Sequence, residues 1–284
     1  MIEVTGKLKE QWNKTIVGIL AYFVGLCEQQ GFRYYVAYGS ALGALRHGGI
    51  IPWDDDIDVV MPRADYEQFL AYCEQHDTGK YKLYHTEIST DFYVSFMKLV
   101  DGTTNLRESV DQRMTIGLFI DIFPLDGCPA QEVAFTKALK KMKQTYLYMF
   151  REASLNKGLF NGFRMLTRGK VKFFVRSLLI ASGRRHWRNW AIRKGRTLAK
   201  SISFDSAEYV VNYLGVYGSK ERMPKAVYGP GRNVNFEGLL VRVPFLCEEY
   251  LTHLYGDWQK LPPPQQRRTH HLISFVSFTD EETL

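Results

Sequence analysis

The first patterned stretch of the chain has helical spacing. Trp12, Ile16, Ile19, Leu20, Phe23 and Leu26 recur at three- and four-residue intervals, and Gly31 stops the run, so residues 7–30 are expected to form a helix. The aromatic and β-branched run 32-FRYYVAY-38 predicts a strand ending at Gly39-Ser40. A short helix over 41-ALGALRH-47 and a turn over 48-GGIIP-52 follow. Polar and apolar residues then alternate in 54-DDDIDVVM-61, as in a strand that Pro62 ends, and 64-ADYEQFLAYCEQH-76 returns to helical spacing. Further strands are expected at 81-YKLYHT-86, 92-FYVSFMKLVD-101 and 118-LFIDIF-123, with a loop over 102-GTTNLRES-109 and a helix over 131–153. Beyond residue 200 come strand-like pieces at 208-EYVVNYL-214 and 232-RNVNFEGLLVRVP-244, a helix at 246-LCEEYLTHLYG-256 and a proline-rich tail, 261-LPPPQQRRTHH-271.

Composition narrows this picture. At 284 residues, 45% hydrophobic and 14% aromatic, the chain can bury a sizeable core, which excludes a disordered or collagen-like polymer. Cys27, Cys73, Cys128 and Cys247 are far apart and form no zinc spacing, so buried, reduced thiols are expected. The polar N-terminus reads as no secretory signal. The longest apolar run, 16-IVGILAYFVGL-26, falls well short of the ~20 residues that span a bilayer. A cytoplasmic protein, peripheral at most on the inner face of the membrane, is the expectation.

The chemistry concentrates in the acidic run. On a strand, Asp54, Asp56 and Asp58 share one face while Asp55, Ile57 and Val59 take the other. Two same-face carboxylates suit one hard cation such as Mg²⁺, with Mn²⁺ as a substitute. Asp121, alone among Phe119, Ile120, Ile122 and Phe123, is a third acid if its strand pairs with the first, because a carboxylate in apolar surroundings needs a cation or hydrogen bonds. No EF-hand spacing is present, since Val60 stands where the glycine would be. Gly39 and Ser40, opening a helix just before the acids, offer free N–H groups and a hydroxyl to phosphate.

This order of turn, helix, paired acids and later acid is the signature of the nucleotidyltransferase superfamily. In finer detail the chain resembles the LicD family of phosphocholine transferases, relatives of the fukutin-type ribitol-phosphate transferases. The resemblance rests on 38-YGSALGALRHGGIIPWDDDIDVVMPRADY-66, on 98-KLVD-101 with Thr103 and Thr104, on 117-GLFIDIFPLDG-127, on 228-YGPGRNVNFEGLLVRVP-244 and on 255-YGDWQKLPP-263. Gly39-Ser40 departs from the Gly-Gly or Gly-Thr of many members. The resemblance implies an α+β fold, a nucleotidyltransferase-like mixed sheet flanked by helices. It implies transfer of a substituted phosphate from a CDP- or CMP-activated alcohol to a hydroxyl of a glycan such as lipopolysaccharide, teichoic acid or capsule, with release of CMP. Asp56 and Asp58 map onto the metal pair, Asp121 onto the third acid and Lys98 onto the lysine before the threonine-rich loop. Asp121 then completes the metal shell or accepts the proton of the attacking hydroxyl, and Asp54 is a second candidate base. Lys98 and Arg46 are candidates to stabilise charge on departing CMP. Arg46 and His47 serve equally well as a helix C-cap, and Trp53 as packing or a base-stacking platform. Choline, ribitol, ethanolamine, glycerol and aminoethylphosphonate donors all remain compatible.

Charge is polarised along the chain. Residues 151–200 carry 14 Lys and Arg against one acid, Glu152, although the whole chain is only +7. Interleaved Phe and Trp residues suit an anionic membrane surface, where a lipid-linked acceptor would be met; a plain helical insertion and a nucleic-acid patch are the other readings. The expected organisation is a catalytic core over 1–150, a basic, largely helical insertion over 151–200 and a C-terminal elaboration over 201–284. A second functional class is a non-catalytic anion- or nucleic-acid-binding module on the same fold, which would have no need of Asp56, Asp58 and Asp121 together.

Overall fold

The computed structural model describes residues 2–89, 92, 94–108, 115–150, 171, 184–267, 269 and 271–278. Most of the basic segment, with Arg268 and His270, lies outside them.

Helix α1 (Gly6–Gln30) buries Trp12, Ile16, Ile19, Leu20, Phe23 and Leu26, the stripe its spacing predicts. It ends at Gly31, whose φ of 73° is the left-handed conformation that glycine adopts without Cβ strain. The α1 stripe packs on a seven-stranded mixed sheet whose central path runs β1 (Tyr35–Val36), β2 (Asp58–Pro62), β6 (Phe119–Cys128), β4 (Met97–Asp101), β3 (Tyr81–Tyr84). Only β2 and β6 run parallel; the other pairs in the sheet are antiparallel. The fold is therefore the expected α+β arrangement of a mixed sheet flanked by helices.

Several boundaries move. Helix α2 spans Tyr38–His47, so Gly39 and Ser40 belong to its first turn and not to a preceding loop. Of the acidic run, only Asp58 lies in strand β2. Helix α3 (Arg63–Gln75) follows as its pattern indicates. Residues 104–108, expected as loop, form β5 (Thr104–Glu108), because the chain's end returns as β11 (Ile273–Phe278) and pairs with it. A two-stranded pairing leaves no trace in either segment's own sequence; each supplies the other's hydrogen bonds.

The C-terminal region completes the core. Beyond α4 (Glu132–Phe150) and α5 (Arg184–Ala199), strand β7 (Tyr209–Val211) adds antiparallel to the far end of β6, and β8 (Met223–Pro224) adds to β7. A hairpin of β9 (Arg232–Phe236) and β10 (Leu239–Val243) leads to α6 (Cys247–Tyr255), which packs beside α2. The described end of the basic segment docks on the core through ion pairs: Arg196 to Glu67 at 3.2 Å and to Glu87 at 2.5 Å, and Lys200 to Glu67. Among the described residues, no helix is long and apolar enough to cross a membrane.

Candidate active site

Register across the sheet decides the site. Asp58 on β2 lies opposite Asp121 on β6, and Asp121 lies opposite Lys98 on β4. Three charged residues far apart in sequence thus stand in one row across three neighbouring strands. Lys98 Nζ donates to Asp121 Oδ1 at 2.8 Å, both groups being buried, and sits 3.2 Å from the Phe119 ring centroid.

The row opens into a cleft of about 520 Å³. Asp54, Asp56, Asp58 and Asp121 all line it, together with the rings of Tyr38, Trp53, Phe96, Phe123, Tyr217 and Tyr255. The predicted division of the acidic run holds although most of it is not strand: Asp55 turns away from this cleft. Its carboxylate accepts the His271 N–H at 3.3 Å and lies 3.2 Å from His271 Nδ1. His271, which from sequence alone reads either as a phosphate contact or as exposed tail, is thereby a structural partner of the acidic run.

Electrostatics mark the cleft as short of positive charge. Burial, then the neighbouring Asp56, pushes Asp54 up to about 8. Burial, with Asp56, Asp121 and Asp54, raises Asp58 well above the ordinary carboxylate range. Burial also raises Asp121, against the pull of Lys98. His271 moves oppositely: burial would lower it, but its bond to Asp55 and the charges of Asp56 and Asp55 hold it at about 9.

Two groups of residues compete as a cation site. Ligand atoms of Asp55, Asp56 and His271 all lie within 4.8 Å of one another. That trio is a poor magnesium site, because Asp55 is committed to His271 and a protonated imidazole has no lone pair to give. Asp56, Asp58 and Asp121 all line the cleft and carry the hard oxygen donors that Mg²⁺ takes.

The acidic loop is braced from three sides. From α1, Lys9 Nζ donates to the Asp54 carbonyl and Trp12 Nε1 to the Asp55 carbonyl at 2.8 Å. From α2, Ser40 Oγ accepts the Asp58 N–H at 2.9 Å, so this hydroxyl positions an acid. A Cβ on Gly39 would come within 2.8 Å of Asp54 Oδ2, which is the spatial reason for glycine there. From the β9–β10 turn, Glu237 Oε1 accepts the Ile50 N–H at 2.9 Å, and the Glu237 N–H donates to the Gly48 carbonyl at 2.9 Å.

Arg46 and His47 stand apart from the cleft lining, at the end of α2. Arg46 donates to the Trp258 carbonyl at 2.6 Å and to His47 Nε2 at 3.0 Å. Trp53 does line the cleft, with His47 edge-on to it and the Arg267 guanidinium 5.1 Å from its ring centre.

The tyrosine part of the lining was missed from sequence. Tyr38 begins α2 at a φ of 50°, unusual for a bulky side chain, and is held there by its contacts. Its N–H donates to Tyr250 Oη at 3.1 Å; its hydroxyl donates to Glu221 Oε2 at 2.8 Å and accepts from Asn212 Nδ2 at 2.8 Å. Glu221 also accepts the Tyr217 N–H at 3.1 Å, and burial pushes its carboxyl up to about 7. A lone glutamate in 212-NYLGVYGSKE-221 carries no sequence signal of this role; the run of Tyr and Gly is the only hint.

Comparison with known proteins now adds to this geometry. The sequence profile described as "LicD/FKTN/FKRP, nucleotidyltransferase domain" matches residues 31–165, the stretch that holds α2, all four cleft acids and Lys98. Residues 31–165 are thus similar to a LicD-family nucleotidyltransferase domain. Similarity to one LicD protein extends much further: the lipopolysaccharide cholinephosphotransferase LicD of Haemophilus influenzae is 28% identical over 268 residues, covering 93% of this chain and 96% of the relative. The human ribitol 5-phosphate transferase FKRP is 48% identical over 54 residues, which is 19% of this chain and a tenth of that protein. The mouse FKRP matches equally. LicD-type similarity along nearly the whole chain supports a transferase.

Proposed function

We propose that this chain transfers a substituted phosphate, phosphocholine foremost, from a CDP- or CMP-activated donor to a hydroxyl of a surface glycan, releasing CMP. The observation that carries this reading is the convergence of Asp54, Asp56, Asp58 and Asp121 on one ring-lined cleft, in a chain similar over 93% of its length to a lipopolysaccharide cholinephosphotransferase. Ribitol phosphate is the second reading, supported by the local similarity to FKRP; phosphoethanolamine and aminoethylphosphonate share the chemistry.

Asp56 and Asp58 would hold Mg²⁺ or Mn²⁺, with Asp121 as a third oxygen ligand. When bound, the ion would neutralise the diphosphate and make CMP a better leaving group. The remaining roles fall to the chain itself. The N–H groups of Gly39 and Ser40 lie in the first turn of α2, where helical amides have no intrahelical acceptor, and suit phosphate oxygens. Lys98, fixed by Asp121, adds a buried positive charge next to the site. Asp54, facing the cleft two residues from Asp56, is suited to accept the proton of the attacking hydroxyl. That oxygen attacks the phosphorus bearing the alcohol, the bond from this phosphorus to the oxygen of CMP breaks, and CMP departs.

We assign residues 1–150 to the catalytic core and 201–284 to an elaboration that completes its cleft, with 151–200 between them as the segment offered to an anionic membrane. The test is a panel of CDP- and CMP-activated donors with Mg²⁺, read by CMP release and by mass gain on a glycan acceptor. Donor-dependent CMP release is expected. Folded protein that releases CMP from none of them would sink the transferase reading.

A further inference from the structure

Residues 212–222 connect β7 to β8, and Leu214 to Tyr217 of this excursion form part of the tyrosine wall of the cleft. Near its two ends stand buried polar side chains, Asn212 and Glu221, that the transfer chemistry does not use. Both meet at one atom. Asn212 Nδ2 donates to the Tyr38 hydroxyl, and that hydroxyl donates to Glu221 Oε2. The same side chains shape the excursion: Asn212 Oδ1 accepts the Leu214 N–H at 2.9 Å, and Glu221 Oε1 accepts the Tyr217 N–H. A Cβ on Gly215 would overlap Glu221 Oε1, so glycine is what leaves room for the carboxylate. Burying a carboxyl among neutral donors is costly, which asks what it gains.

What it holds is a residue in a disfavoured conformation that sits between two bonds to a candidate metal ligand. Tyr38, at a φ of 50°, occupies a region that bulky side chains seldom adopt. On one side of it the Ala37 N–H donates to the Asp58 carbonyl at 3.0 Å; on the other Ser40 Oγ accepts the Asp58 N–H. Gly39, between them, lies against Asp54 Oδ2. The backbone at Tyr38 thus fixes how Asp58 and Asp54 sit relative to the first turn of α2. Glu221 is not in the cleft lining. Its reach to the acids runs through Tyr38.

We propose that Glu221, with Asn212 as a second hold, is a positioning residue for the transfer: through the Tyr38 hydroxyl it keeps the left-handed entry into α2 and so sets Asp58 and Asp54 against Gly39 and Ser40. The inference rests on the transferase reading and adds to it a residue outside the cleft lining.

The test is steady-state kinetics of the full chain with Mg²⁺ at about pH 8, above the value of about 7 to which burial pushes Glu221, and below the melting transition of every variant. The donor is the one that releases CMP in the panel above. Glu221→Ala and Tyr38→Phe should each lower kcat on the order of 10-fold with donor KM within about 3-fold, because a small misplacement of the acids is felt most in the reacting geometry. The double variant should be at most about 2-fold slower than the slower single one, since both remove the same bond. Glu221→Gln, whose amide oxygen can accept the Tyr217 N–H while its nitrogen donates to the Tyr38 hydroxyl, should recover most of the rate. Unchanged kcat in folded Tyr38→Phe, whatever its melting temperature, would overturn the inference and mark the cluster as a stability element; this variant keeps the ring and decides the matter even where Glu221→Ala does not fold. Rate losses that multiply in the double variant would overturn the route through Tyr38, and a Gln variant as slow as the Ala variant would overturn a role without charge. Unaltered protein that releases CMP from no donor overturns the transferase reading and this inference together, whereas active protein indifferent to these substitutions overturns the inference alone.

Discussion

Asp58 shows how much one register position decides. It faces Asp121 across a parallel pair, and Asp121 is already paired with Lys98, so Asp58 is left with burial and like charges around it. A divalent cation relieves exactly that imbalance. In metal-free protein, Mg²⁺ or Mn²⁺ is expected to raise the melting temperature, and Asp56→Ala or Asp58→Ala should remove most of the rise and abolish turnover; a variant that melts and turns over like the parent would refute the ligand assignment. Glu221 gives a prediction with a pH sign. The folded carboxyl keeps its proton up to about 7, against 4.5 ordinarily, because of burial. The folded state thus binds more protons between these values, and stability falls as pH rises from about 4.5 to about 7, by on the order of 3 kcal/mol from this group. Urea melts of metal-free Glu221→Gln should lack that share of the slope; an unchanged slope would show that Glu221 titrates normally.

At the scale of elements, the acidic loop is held by pieces that are themselves regular. Helix α1 is amphipathic, and its apolar stripe docks on the sheet; Lys9 and Trp12, at its N-terminal end, then reach the loop's carbonyls. The β9–β10 hairpin turns at Glu237 and Gly238, both with positive φ, and the turn meets the Gly48–Ile50 backbone. Its glutamate is a brace on the loop before the acids. Glu237→Ala is expected to cost about 1 kcal/mol, one hydrogen bond to a partly buried amide, and to lower turnover more than donor affinity. Glu237→Gln, which still presents a carbonyl oxygen to Ile50, should recover most of both. Thermal melts and steady-state kinetics on the two variants separate a brace from a substrate contact, for which Gln would restore stability without rate.

At the scale of the molecule, the two chain ends and the acidic run converge. Ile2 bridges Ile273, β11 pairs with β5, and His271, just before β11, holds Asp55. Strand β11 is thus part of the core, with Ile273 and Val276 buried. Removing the chain from His271 onward should take both His271 contacts from Asp55 and expose the β5 edge. The expected result is a markedly lower melting temperature; His271→Ala alone should lower it less, since it removes the imidazole from Asp55 and keeps the backbone N–H bond. A truncated protein as stable as the full chain would show the tail to be dispensable. The basic segment meets the core through Arg196 and Lys200 on Glu67 and Glu87, so part of its charge is spent internally. Arg184, Arg185 and Arg188 are the cations to neutralise when binding to anionic vesicles is measured; unchanged binding would point to a plain insertion.

The sequence alone was enough for α1, α3 and the apolar part of β6, because each depends on a local period that burial enforces. It was enough for the facing of Asp54, Asp56 and Asp58 away from Asp55, and for singling out the acids that line one cleft, since carboxylates inside apolar frames carry a cost that demands a partner. It did not reveal β11, the hairpin's hold on the loop, His271 against Asp55, or the tyrosine wall with Glu221 behind it. Those depend on contacts between segments 100 or more residues apart, which leave no periodicity in either segment. Only the tertiary structure could align Asp58, Asp121 and Lys98 in one row and bring Tyr217 and Tyr255 to the same cleft, because strand register and the return of the C-terminal chain are fixed by packing against partners, not by the local pattern.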